Sequence, residues 1–266
     1  MTYNELKKIV NFDNFKKAAK QYKNSKPFPY LICKNFLNNN FAKKILNEFP
    51  NYSKKNFWHE YNNFIEVKKT CNDWNKFGKN TYRLFSLLNS PKFILSISKY
   101  LKIKNLFPDS GLNGGGLHIH KNGGKLNFHL DYSMHPKINF QRKINLLIYI
   151  TPNWKKSYGG ELGFWSHDPK KFAPHRLEKK IVPNFNTAVF FDTTKNSWHG
   201  LVNPIKTKKG IFRKSLAVYY LIEKNTRDLR SKALFAPTNK QKKNKKILKL
   251  IKMRSSSSFA KKVYVK

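Results

Sequence analysis

A chain of 266 residues has room for one large domain or two small ones, and 39% hydrophobic content with 15% aromatics supplies a core, which excludes a wholly disordered polypeptide. The formal net charge of +40 raises the prospect of a nucleic-acid or other polyanionic partner, but the basic residues are overwhelmingly lysine and are spread along the chain. That distribution favours compositional bias and solvated faces, with dense clustering only in the C-terminal tail. No apolar run approaches the ~20 residues that span a bilayer, and the N-terminal stretch lacks a secretory h-region. Cys33 and Cys71 stand at no zinc or redox spacing, so they read as reduced thiols of a cytoplasmic protein.

Taken in chain order, residues 1–105 predict a mainly helical region packing on the core. Leu6, Ile9, Val10, Phe15, Ala18 and Ala19 recur at helical spacing over Tyr3–Tyr22, and Phe41–Phe49 and Lys92–Leu101 repeat the pattern. Between them the Pro-bounded run Pro27–Cys33 reads as a strand, while 51–80, rich in Trp, Phe, Tyr and Asn, supports no assignment. Over 106–225 short β-like runs alternate with Gly, Pro and Asn turns: Leu117–His120, Lys125–Tyr132, Lys143–Thr151, Gly160–Trp165, Lys179–Val182, Thr187–Phe191 and Lys214–Ile222. This pattern predicts a mainly β sandwich or jelly roll with flanking helices. The runs NLLIYI (Asn145–Ile150) and SLAVYYLI (Ser215–Ile222) are nearly continuous in apolar residues, as expected of strands buried on both faces. Residues 226–266 form a basic tail, expected to be partly disordered from about 238, with a short amphipathic helix as an alternative over Lys240–Lys252.

The chemistry-bearing constellation starts at Asn127-Phe-His-Leu-Asp131. On a strand, residues i and i+2 share a face, so His129 and Asp131 project together. An imidazole and a carboxylate side by side are two-thirds of a metal site. His199, in Ser197-Trp-His-Gly200, supplies a third ligand, and Gly200 permits close backbone approach. Two histidines and one carboxylate on one face of a metal form the facial triad of non-haem Fe(II) oxygenases, leaving three positions for a bidentate keto-acid and O2. Arg213, fourteen residues after His199, offers a planar fork for the far carboxylate of such a co-substrate, and Ser215 shares its strand face.

From Gly114 to Leu221 the chain resembles the 2-oxoglutarate/Fe(II)-dependent oxygenase superfamily, in its prolyl 4-hydroxylase-like branch. The resemblance is carried by Gly123–Asp131, Arg142–Trp154, Gly159–Trp165, Pro183–Asp192, Ser197–Gly200 and Arg213–Ser215, in the family's order. It implies a double-stranded β-helix (cupin-like jelly roll) core. It also implies Fe(II) held by His129, Asp131 and His199, with 2-oxoglutarate bound by Arg213 and touched by Tyr149. The implied reaction consumes O2, releases succinate and CO2 and hydroxylates a substrate, with ascorbate as reductant. Two departures stand out. His120 occupies a position where relatives often have tyrosine, and arginine stands where many prolyl hydroxylases anchor the co-substrate with lysine.

Plainer readings accompany several of these residues. His118 and His120 read first as structural histidines and second as substrate contacts, and the same holds for His135. His59, His167 and His175 read as surface or loop residues. Gly159-Gly160 reads as a turn needing positive φ, since no helix start follows it. Trp154 and Trp165 read as packing, and Asp192 as a turn residue. Two other functions compete with the oxygenase. One is a nucleic-acid or polyanion-binding protein on an inactive oxygenase scaffold. The other is a cupin-type enzyme using a different metal, which would have no need of Arg213. The substrate, small molecule or peptidyl, is not legible in the sequence.

Overall fold

The computed structural model describes residues 3–224 and 230–255. Its helices are α1 (Tyr3–Ile9), α2 (Phe12–Ala19), α3 (Asn39–Glu48), α4 (Lys79–Leu88), α5 (Pro91–Leu101) and α6 (Lys245–Ser255). The first strands are β1 (Tyr30–Lys34), β2 (His59–Asn62), β3 (Glu66–Cys71), β4 (Phe107–Pro108), β5 (Gly116–His120), β6 (Lys125–Leu126) and β7 (His129–Leu130). They are followed by β8 (Phe140–Tyr149), β9 (Leu162–Asp168), β10 (Ala173–Ile181), β11 (Thr187–Asp192), β12 (Trp198–Leu201), β13 (Arg213–Glu223) and β14 (Leu234–Phe235).

The strands build two antiparallel sheets. The major one runs β1-β11-β8-β13-β5-β3-β2, with β4 added to β13 and β6 to β3; the minor one runs β10-β9-β12-β7-β14. This is the jelly roll with flanking helices that the strand pattern predicts, in the double-stranded β-helix form that the family resemblance implies.

Residue alternation on the major sheet explains the continuous apolar runs. Ile144, Leu146 and Ile148 of β8 and Leu216, Val218, Tyr220 and Ile222 of β13 enter one core with Leu6, Phe15, Ile45, Leu84, Phe93 and Ile97 from the helices. The alternate residues point the other way. Tyr149, Val189 and Phe191 pack with Leu162 and Phe164 of the minor sheet. Both faces are covered, so both sets of positions are apolar, although the sheet is antiparallel and could have left one face wet. Towards one end of this inner face the apolar residues give way to Asn145, Arg213, Ser215 and Tyr219, which line a cavity.

Three local expectations meet a different outcome, and one unassigned stretch acquires a structure. The helical pattern over Tyr3–Tyr22 breaks into α1 and α2, because Val10 leaves the helix to form a β-bridge with Leu37 and Asn11 caps α2 through the Asn14 amide. Residues 51–80 contain the β2–β3 hairpin, whose strands are polar or half-buried and carry no clean alternation. The strand expected over Lys125–Tyr132 is two short pieces, so Asp131 lies just past the end of β7. Finally, within the tail read as loose from 238, the short amphipathic helix read over Lys240–Lys252 is present as α6. Its Ile247 and Ile251 are buried against Ile65 and Phe235, so the lysines face outward around a docked apolar stripe. The part of that expectation that falls on 256–266 lies outside the described residues.

The C-terminal segment is also tied down by polar contacts. Asn127 donates through its side chain to the Ala236 carbonyl at 3.1 Å and to Gln241 Oε1 at 2.6 Å. Gln241 in turn donates to the Phe64 carbonyl at 3.1 Å. Among the described residues no helix is long and apolar enough to cross a membrane.

Candidate active site

Strand pairing assembles the metal-ligand set. His199 of β12 stands directly opposite His129 of β7, so the two imidazoles project from the same face with ring centroids 4.3 Å apart. This close pairing needs Gly200. A Cβ there would lie 2.7 Å from the backbone N and Cα of Phe128. Asp131 follows two residues after His129. Its Oδ1 is 3.5 Å from His129 Nε2, and its Oδ2 is 3.7 Å from His199 Nε2. One donor atom from each of the three residues lies within 4.8 Å of the others, and all three residues are buried.

The surrounding hydrogen bonds prepare these groups for a cation. His129 Nδ1 is 2.9 Å from the Asn127 carbonyl, and His199 Nδ1 is 2.9 Å from the Ser197 carbonyl. A carbonyl only accepts, so each Nδ1 carries the proton and each Nε2 presents its lone pair to the centre. Burial, then the neighbouring His129, pushes His199 down to about 4, which keeps it neutral at physiological pH. Burial alone would raise the Asp131 carboxyl; the positive charge of His199 or His129 when either ring is protonated, and that of Arg142, outweighs it and favours the ionised group. Tyr219 donates to Asp131 Oδ2 at 3.0 Å and Asn145 at 3.3 Å, fixing the carboxylate from behind. Two imidazole nitrogens and one carboxylate oxygen, held by carbonyl and hydroxyl partners, make a donor set suited to Fe(II) with open positions.

Arg213 opens β13 and lines the same cavity, whose volume is about 680 Å³. Its Nε donates to the Gly160 carbonyl at 2.9 Å, and its Cζ lies 4.8 Å from the centre of the Tyr149 ring. The fork is therefore aimed by one backbone contact and one aromatic face. Gly159 and Gly160 have φ of +64° and +68°, so the glycine pair is the positive-φ turn that brings the Gly160 carbonyl to Arg213. Burial depresses the pKa of Arg213, although a guanidinium stays charged in any case. Ser215 lines the cavity two residues on, and Tyr149 is fully buried behind Arg213. Thus His129, Asp131, His199, Arg213 and Ser215 share one cavity, with Tyr149 against its wall.

Other sequence readings sort cleanly. His118 and His120 line the cavity; His118 rests near the Gly115 carbonyl at 3.2 Å. His135 is buried, with its Nδ1 accepting from the Lys137 and Ile138 amides and its Nε2 facing Asp109 at 3.3 Å, which is a loop-shaping role. His167 accepts from Trp198 Nε1 at 3.1 Å. His59, read as a surface residue, is exposed on β2 but sits on the cavity rim.

Sequence reasoning missed a whole wall of the cavity. The β2–β3 hairpin contributes Tyr61, Glu66, Lys68 and Thr70. Buried Glu66 is met by Lys68 at 3.3 Å and by Arg254 of α6 at 2.5 Å. Phe235 of β14 stacks on His129 with centroids 5.0 Å apart. Tyr219 was within reach: 213, 215, 217 and 219 share a strand face, so the period-2 rule applied to Arg213 leads to it. Asn145 is the one polar residue in NLLIYI, which is a second usable signal.

Comparison with known proteins agrees with this geometry. Residues 115–221 match the family model of the 2OG-Fe(II) oxygenase superfamily. The matched stretch runs from β5 to most of β13 and includes all three residues of the donor set. A 58-residue stretch is 31% identical to mouse prolyl 3-hydroxylase OGFOD1, covering 22% of this chain and 10% of that protein. The match thus spans about a tenth of the relative's length. Among solved structures, a prolyl hydroxylase from Trichoplax adhaerens bound to a hypoxia inducible factor peptide fragment superposes with a TM-score of 0.58 at 17% identity. That superposition covers 83% of this chain and 94% of that one. A Pseudomonas putida prolyl-4-hydroxylase gives 0.56 at 13% identity, covering 79% and 99%. The strand core and its flanking helices therefore share the fold of these prolyl hydroxylases.

Proposed function

We propose that the protein is an Fe(II)- and 2-oxoglutarate-dependent dioxygenase that hydroxylates its substrate and releases succinate and CO2. The observation that carries this reading is the shared cavity: two histidines and an aspartate converge at 4.8 Å or less, and a buried arginine faces the same space. When bound, the iron supplies the oxidative chemistry that couples decarboxylation of 2-oxoglutarate to insertion of one oxygen atom into a C–H bond. In this reading His129, Asp131 and His199 hold the metal, with their Nδ1 contacts and Tyr219 fixing ligand orientation. Arg213 receives the distal carboxylate of 2-oxoglutarate, with Ser215 and Tyr149 alongside. His129, Asp131, His199 and Arg213 are buried, which strengthens each of these charge contacts.

Prolyl hydroxylases among the relatives and structural neighbours make prolyl peptides the first substrates to test. Ascorbate belongs in the assay as reductant. Two buried free thiols, Cys33 and Cys71, support assignment to the reducing cytoplasm.

The test is succinate release from 2-oxoglutarate by the iron-loaded protein with ascorbate. It is run alone and with panels of prolyl peptides, free amino acids, nucleosides and glycans, together with mass spectrometry for a gain of one oxygen. Turnover abolished by His129→Ala supports the reading. No succinate from protein carrying stoichiometric iron overturns it. Salt-sensitive nucleic-acid binding unaffected by His129→Ala, in the absence of turnover, would favour the polyanion-binding alternative instead.

A further inference from the structure

His120 is 2% exposed, lines the cavity, and has no hydrogen-bond partner at either ring nitrogen. A buried imidazole in that state forfeits contacts it would make in water. Such a group in a native fold calls for an explanation, and a ligand is the simplest.

Its placement says which ligand. In the antiparallel ladder His120 of β5 stands directly opposite Arg213 of β13, so both side chains leave the sheet on the same face. The ring has little freedom to look elsewhere. The Gly123-Gly124 turn closes over it, and a Cβ on Gly124 would lie 2.8 Å from His120 Cβ. Burial, and then the charge of Arg213, disfavours the imidazolium, so the ring is neutral, with one N–H to donate and one nitrogen to accept.

Resting on the oxygenase reading above, we infer that His120 donates its ring N–H to the distal carboxylate of 2-oxoglutarate, as a second ligand beside Arg213. An anion seated against Arg213 brings acceptor oxygens to the unpartnered imidazole, and a neutral ring adds a donor to the guanidinium without adding a repelling charge. Arginine supplies the countercharge, and His120 selects for a carboxylate at the correct depth. The role belongs to this chain's own histidine.

The test uses the full-length protein loaded with Mn(II) in place of iron, and calorimetric binding of two probes. These are 2-oxoglutarate and 2-oxopentanoate, which has the same chain length and keto-acid end but no distal carboxylate. His120→Phe keeps the bulk and removes the donor; His120→Gln keeps an amide donor. For His120→Phe, 2-oxoglutarate binding is expected to weaken roughly tenfold to a hundredfold, the range for a hydrogen bond to a charged group. Binding of 2-oxopentanoate and of Mn(II) should stay within about twofold, and His120→Gln should recover most of the lost affinity. An unchanged 2-oxoglutarate affinity in His120→Phe overturns the inference and leaves the oxygenase reading standing. Equal loss of both probes overturns it too, because it marks a structural role. No 2-oxoglutarate binding to the wild-type Mn(II) protein would overturn the oxygenase reading itself, and this inference with it.

Discussion

Gly200→Ala tests whether backbone proximity between β7 and β12 sets the metal centre. Alanine meets no dihedral obstacle at this residue, since Gly200 is not among the positive-φ positions, so the effect is one of space alone. The added Cβ would lie 2.7 Å from Phe128 N and Cα and 2.8 Å from Asn127 C, all backbone atoms that cannot rotate away. Restoring an ordinary contact of 3.4 Å requires the strands to part by about 0.7 Å, the difference between the two distances. His129 follows Phe128 directly and His199 precedes Gly200 directly, so the displacement passes to both imidazoles. Metal–ligand distances tolerate only about ±0.2 Å. The expected outcome is a loss of Mn(II) or Fe(II) affinity of at least about tenfold. Overpacking also costs about 2 kcal/mol of stability, or roughly 4–8 °C in Tm for a domain of this size. Equilibrium dialysis reads the affinity, and scanning calorimetry with and without metal reads the Tm. A variant with wild-type metal affinity would refute the claim that this approach positions the ligands, whatever its Tm.

Three further outcomes follow from the same geometry. Arg213→Leu should raise the KM for 2-oxoglutarate by about 30-fold or more, the loss for truncating a buried charge partner, and succinate release at varied co-substrate reads it; an unchanged KM would refute the anchor role. Tyr219→Phe removes the donor 3.0 Å from Asp131 Oδ2 and should weaken metal binding about tenfold with the fold intact, as read by dialysis and circular dichroism. Glu48→Gln should destabilise the protein by about 1 kcal/mol at pH 7, because Glu48 caps α4 by accepting from the Asn80 and Thr81 amides, each at 2.9 Å. Burial raises the Glu48 pKa but those hydrogen bonds override it, so the stabilisation is present above the unfolded value near ~4.3 and is lost as pH falls through the lower folded value. The wild-type advantage in urea melts should therefore shrink in acid, and a gap constant from pH 7 to pH 3 would contradict this assignment.

The ease of reading the site and the difficulty of reading its wall have one cause. His129 and Asp131 are two residues apart, Gly200 adjoins His199, and Ser215 follows Arg213 at strand spacing, so local periodicity carries most of the chemistry. NLLIYI and SLAVYYLI announce strands buried on both faces, and the structure shows why: helices cover one side and the minor sheet the other. The β2–β3 hairpin has no such signature, because its residues are half-wet in a cavity and polar on both faces. The break at Val10 is equally silent, since only the distant Leu37 makes a bridge there worthwhile.

The amino-acid sequence alone indicated the β-rich fold class and placed His129 and Asp131 on one strand face by spacing; His199 and Arg213 joined them as candidates by residue type and by family resemblance. Tertiary structure decided what depends on partners far along the chain. It set the pairing of His199 with His129, the Nδ1 contacts that free each Nε2, and the unpartnered His120 opposite Arg213. It also docked α6 where a loose basic tail was expected, through Ile247, Ile251 and the Arg254–Glu66 ion pair. A period-2 or period-3.6 pattern reports which face of an element is buried; it holds no record of what that face is buried against.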